Sequence, residues 1–119
     1  MRRLLLILCA AACGEEADPS IDITAPVEGA QVPVTGDVTL TIVGRDLADA
    51  GGVDLAIDGS IAQPAGDTFR ASQCTGTCQF TVTFSPAALT PEIHTVTVSL
   101  EYDLVRLAED SVRIRFVAP

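Results

Sequence analysis

Lysine, asparagine and tryptophan are missing from this chain of 119 residues, and histidine occurs once, at position 94. The seven basic residues are therefore all arginines, set against 16 acids, for a net charge of −9. A surface of that sign repels phosphate backbones and anionic lipid headgroups, which argues against nucleic-acid binding. Aromatic residues make up only 4% of the chain. No stacking platform for bases or sugars can be assembled from so few rings, so Phe69, Phe80, Phe84, Tyr102 and Phe116 are read as core candidates. No apolar run reaches the roughly 20 residues that a helix needs to cross a bilayer. Sustained helical periodicity is also missing.

What is present begins with an address. Arg2 and Arg3 supply a positive start, Leu4 to Leu8 a short apolar run, and Ala10-Ala11-Ala12 small residues suited to a peptidase cleft. That order is expected of a secretory signal. Hydrophobicity stops at Cys13, and Gly14 to Pro19 form a polar, acidic tether. Small residues before a cysteine, then glycine and acids, resemble the lipobox of bacterial lipoproteins, with Ala10 where that family more often has leucine. The resemblance covers residues 1–13 and implies removal of residues 1–12 and fatty acylation (palmitate) of Cys13. Cys9 is a poorer candidate because bulky Leu8 precedes it. Gly14 after the cysteine resembles lipoproteins destined for the outer membrane. Each buried acyl methylene contributes about 0.8 kcal/mol, so two or three chains would hold the protein on a membrane unaided.

From Ser20 onward, short alternating runs are separated by turn signals. They comprise Ile21–Thr24, Val38–Val43, Val53–Asp58 before the Asp58-Gly59 turn, residues 67–73, Gln79–Phe84, Val96–Asp103 and Val112–Val117. Each has one apolar face, as a sheet packed on one side requires. Their spacing predicts an all-β sandwich of about seven strands over residues 20–119. Ser85–Pro91 is the one place where a helical turn is expected.

Three segments carry a further resemblance. They are Ala25-Pro26-Val27-Glu28-Gly29-Ala30-Gln31-Val32 with the strand after it, Val53–Gly59, and His94–Val98 after Leu89-Thr90-Pro91-Glu92. Together they are similar to the immunoglobulin-like, or fibronectin III-like, modules of bacterial surface proteins. Asp103-Leu104-Val105-Arg106-Leu107 departs from that pattern, where a polar turn is usual. The resemblance implies a spacer, adhesion or ligand-presenting module and not an enzyme. With no residues after Pro119, a partner in another chain is expected over a pure spacer role.

Cys74 and Cys78 frame Thr75-Gly76-Thr77. Beyond a signal peptide the compartment is oxidising, and a glycine-containing three-residue hairpin loop would bring the two cysteines within bonding range, so a disulfide is expected. Symmetric pairing about Gly76 would leave Phe69 on the wet face, so a β-bulge is expected in residues 67–73 to return it to the core. A metal reading of the pair fails on ligand count, His94 being the one imidazole.

His94 has the parity of Val96 and Val98 and is expected to cap the inner face at a strand start. No serine or cysteine stands near it in a catalytic motif, so no catalytic residues and no cofactor are assigned. Loops 44–52, 74–78 and 103–110 would converge at the pole where the first strand begins. They carry Asp46, Asp49, Asp103, Glu109 and Asp110, weak calcium candidates because no ordered Asp-x-Asp spacing is present. The opposite pole, with loop 25–37, the Asp58-Gly59 turn and Ser85–Glu92, would face away from the membrane and meet a partner. The expectation is a non-enzymatic lipoprotein of the bacterial cell envelope, its domain in the periplasm or at the cell surface. The alternative is a module that binds calcium or an envelope polysaccharide.

Overall fold

The computed structural model describes residues 18–118. Cys13, the signal peptide and most of the tether lie outside the described residues. Two sheets face each other. One takes the order β1 (Ser20–Ala25), β3 (Val38–Arg45), β7 (Thr77–Phe84), β6 (Gly66–Asp67). The other takes β2 (Gln31–Pro33), β9 (Val105–Val117), β8 (Ile93–Tyr102), β4 (Gly52–Ile57), β5 (Ser60–Ala62). Neighbours are antiparallel except β2 and β9. The sandwich read from strand spacing is thus present, with β2 and β5 as short additions at sheet edges.

Alternation decides which residues meet between the sheets. Leu40 and Ile42 of β3, Val82 and Phe84 of β7, Leu55 of β4, Val96, Val98 and Leu100 of β8, and Ile114 and Phe116 of β9 are all buried. Each such side chain contributes about 1.5–3 kcal/mol. Phe84 and Phe116 meet edge to face across the two sheets, with ring centroids 6.4 Å apart. The outer faces carry hydroxyl pairs, among them Thr39–Thr83 at 3.1 Å and Thr97–Ser111 at 2.7 Å.

Three expectations need correction. Phe69 is buried and packs on Phe80 at 5.0 Å, but no bulge places it there. β6 pairs in the register Gly66↔Thr83 and Asp67↔Val82, and Thr68 N donates to Thr81 O at 2.9 Å. The chain then leaves the sheet, and a 3-10 turn at Ala71–Gln73 takes up the three residues that a symmetric hairpin would have paired. The connection to β7 is therefore not a tight three-residue loop. Second, 103–110 is not a loop, because β9 already begins at Val105 and only Asp103 and Leu104 turn the chain. A register shift at Leu100/Glu101 absorbs the extra residue, Leu107. Third, Tyr102 is not a core residue but is 55% exposed.

At Ser85–Pro91 the helical reading reduces to one turn closed by Leu89 N donating to Pro86 O at 2.9 Å.

Candidate functional site

The topology sorts the connections into two poles. Ser20 pairs with Arg45, Asp46 N donates to Gly76 O at 3.0 Å, and Gly51 N donates to Glu101 O at 2.8 Å. These bonds gather the start of β1, loop 46–51, loop 68–76 and the 103–104 turn at one end, the N-terminal pole. The far pole carries segment 26–37, expected as a loop but containing β2, together with the Asp58-Gly59 turn and residues 85–92.

At the far pole two polar clamps stand side by side. His94 is buried at the start of β8 with its ring 5.8 Å from that of Phe116. Its Nδ1 donates to Asp58 Oδ2 at 2.5 Å, and its Nε2 donates to the Thr90 carbonyl at 2.9 Å. The hydroxyl of Thr90, itself donating to Glu92 Oε2 at 2.6 Å, lies 3.2 Å from Nε2. Both ring nitrogens thus face acceptors, an arrangement that suits the imidazolium ion. The bond to Asp58 raises the His94 pKa above its ordinary value, against the opposing effect of burial, with help from the Thr90 carbonyl and the charges of Asp58 and Glu92. Asp58 is lowered in turn, first by His94 and then by the Thr95 amide, which donates to its other oxygen at 2.9 Å.

Turn chemistry puts Asp58 there. Asp58 and Gly59 both have positive φ, 53° and 84°, in the two-residue turn between β4 and β5. The turn carries the carboxylate to the end of the neighbouring strand β8.

The second clamp joins loop to sheet. Glu28 accepts from the Arg113 amide at 3.0 Å and from its Nε at 2.5 Å. These bonds, the amide's first, hold the Glu28 carboxyl below its usual range. Gly29 N donates to Arg113 O at 2.8 Å, completing the tie between loop 26–30 and β9.

The residues read as calcium candidates do not converge on the N-terminal pole. Asp46 and Asp49 lie in loop 46–51 and Asp103 in the β8–β9 turn. Glu109 and Asp110 lie along β9, away from that pole: Glu109 pairs with Arg106 at 2.7 Å, and Asp110 Oδ2 accepts from Ile23 N at 2.8 Å. Among the described residues, no three His, Cys, Asp or Glu side chains are grouped to hold a metal.

Cys74 and Cys78 are joined in a disulfide with Cα atoms 5.0 Å apart. Cys74 is fully buried, and its carbonyl accepts from Leu47 N at 2.8 Å, tying loop 68–76 to the end of β3. Gly44 makes that closure possible. A Cβ there would run into Leu47 Cδ1 and lie 3.2 Å from Cys78 Sγ.

Reading the residues alone placed His94 on the inner face but missed its partners Asp58 and Thr90 and the Glu28–Arg113 tie. The Asp58-Gly59 dipeptide signalled a turn, and nothing local signalled where its carboxylate would reach.

With two packed sheets in this order, sequence comparison becomes decisive: the family model described as "Bacterial Ig domain" matches residues 19–98. The chain belongs to the bacterial Ig domain family. Solved structures agree on the fold. This Ig domain superposes on an endo-beta-1,4-mannanase from Thermotoga petrophila with a TM-score of 0.62 at 10% identity, covering 93% of this chain and 22% of that one. It also superposes on the CbhA fibronectin(III)-like modules of Clostridium thermocellum with a TM-score of 0.54 at 19% identity, covering 87% and 48%. The Ig domain therefore spans under half of either chain, and at these identities the likeness extends to the fold alone. No curated protein matches it by sequence.

Proposed function

We propose that this Ig domain is the soluble part of a bacterial cell-envelope lipoprotein, held on the outer membrane through acyl chains on Cys13. In this reading it serves as a non-enzymatic structural or protein-binding module and offers its far pole to a partner in the periplasm or at the cell surface. The observation that carries the reading is the pair of clamps at that pole. Glu28 with Arg113, and Asp58 with His94, hold charged groups of both signs in fixed positions on a rigid frame. Such preordering lowers the entropy cost of binding.

A non-enzymatic role is favoured by the same geometry. Asp58, His94 and Thr90 line up as an acid, an imidazole and a hydroxyl, the order used to activate a nucleophile. Here, however, Nε2 is bonded to the Thr90 carbonyl at 2.9 Å. A ring nitrogen whose proton is given to a carbonyl has no lone pair with which to take another from the Thr90 hydroxyl.

Two measurements test the proposal. The intact mass of protein extracted from membranes should show loss of residues 1–12 and acyl chains on Cys13; a water-soluble chain without acyl chains would overturn the anchor. Photo-crosslinkers placed singly at Val27, Ala88 or Asp49, all exposed and outside the clamps, should then trap the partner from the first two positions. Trapping from Asp49 alone would overturn the far-pole assignment.

A further inference from the structure

The β8–β9 hairpin closes in a two-residue turn, Asp103-Leu104, between the paired Tyr102 and Val105. Both turn residues have positive φ, 53° and 67°. Turns of this type take glycine readily, as Gly59 shows in the other hairpin, whereas leucine is strained there. The strain gains no packing, since Leu104 is 92% exposed, Val105 67% and Tyr102 55%. Three apolar side chains are thus exposed at the tip of a long hairpin.

Their position gives this a meaning. The tip lies at the N-terminal pole, where β1 begins and where the tether from Cys13 enters. We propose that Tyr102, Leu104 and Val105 dip into the surface of the phospholipid bilayer on which Cys13 is anchored. This inference rests on the lipoprotein reading above. A patch this small would not hold a free protein on a membrane. Beside an anchor, however, its effective concentration at the bilayer is high, and a weak contact suffices to fix orientation. Leucine and valine enter the acyl boundary, while tyrosine prefers the headgroup level. Glu101, Asp103 and Asp54 stand beside Leu104 at the tip, and the nearby cation, Arg106, is paired with Glu109, so the surface it suits is one of uncharged or zwitterionic headgroups, not anionic ones. Docked in this way, the hairpin would hold the domain upright and turn the far pole away from the membrane.

Tyr102 is its own reporter, being the one tyrosine in a chain without tryptophan. The protein extracted from membranes is reconstituted in phosphatidylcholine vesicles with plain or brominated acyl chains, and its flotation and tyrosine emission are recorded. Expected is flotation together with quenching of Tyr102 by the brominated lipid, and loss of that quenching in Leu104→Asp. Leu104→Gly provides a second variant whose backbone fits the turn without strain; it should keep or raise the melting temperature and also lose the quenching. Protein that floats while Tyr102 stays unquenched would overturn the inference and leave the anchor standing. Protein that fails to float would overturn the anchor and the inference with it. Protection of Tyr102 from aqueous quencher without quenching by brominated lipid would assign the tip to a second copy or another protein, again overturning it.

Discussion

His94 Nδ1 and Asp58 Oδ2 lie 2.5 Å apart, although 36 positions separate the two residues in the chain. The bond joins the β4–β5 turn to the start of strand β8, and it depends on charge. The folded pKa of His94 is raised and that of Asp58 is lowered. The histidine contribution is fully present below its unfolded value, near 6.5, and is lost as pH rises through the raised folded value. The aspartate contribution is present above its unfolded value, near 3.9, and is lost as pH falls through the lowered folded value. Stability from this pair should therefore be greatest between about pH 4 and 6.5. Thermal melts across pH 4 to 9 on wild type and Asp58→Asn check this. The wild-type midpoint should fall on the alkaline side, and the variant's profile should be flatter. Because Asp58 is half-exposed, the effect should amount to about 1 kcal/mol or less. Proton NMR of the single histidine would follow the same titration directly.

Asp110 predicts a local effect. Its carboxylate sits on the inward-facing parity of β9 and accepts the Ile23 amide of the other sheet. Asp110→Ala should cost about 1–3 kcal/mol by leaving that amide without its partner. Hydrogen exchange should show β1 opening more readily, with β7 and β8 keeping their protection. Uniform loss of protection would contradict this.

Gly44 is needed for space and not for backbone freedom. Gly44→Ala would press a methyl group against Leu47 and the Cys78 sulfur. Overpacking of this kind costs about 1–3 kcal/mol. A urea midpoint unchanged from wild type would show that Leu47 can move aside.

The disulfide closes a short loop, so chain entropy assigns it about 2 kcal/mol. A Cys74→Ala, Cys78→Ala double variant should remain folded with a lowered midpoint, because the Phe69–Phe80 contact and the Leu47–Cys74 backbone bond persist without it. Alanine is the replacement to use, since serine would bury a hydroxyl where Cys74 is fully enclosed.

Much of the frame was legible in the amino-acid order itself. Alternation in Val38–Val43, Gln79–Phe84 and Val96–Val98 determined both the strands and their buried faces, because a period of two admits one face to the core and excludes the other. Asp58-Gly59 determined a hairpin turn through local backbone chemistry alone. The 67–73 segment could not be read in this way. Its register depends on Phe69 seeking Phe80 across the sheet, and the surplus residues went into a 3-10 turn because no strand partner remained for them. Residues 105–110 look irregular in isolation and became a strand only because β8 offers a long edge to pair with, with a shift at Leu107 correcting the face. Tyr102 read as core by composition and lies outside because the hairpin runs past the sandwich. The same division applies at the candidate site. Sequence parity put His94 on the inner face, while tertiary structure alone decided that Asp58, Thr90, Glu28 and Arg113 converge, since their contacts link elements whose proximity follows from the packing of the sheets and not from any neighbour in the chain.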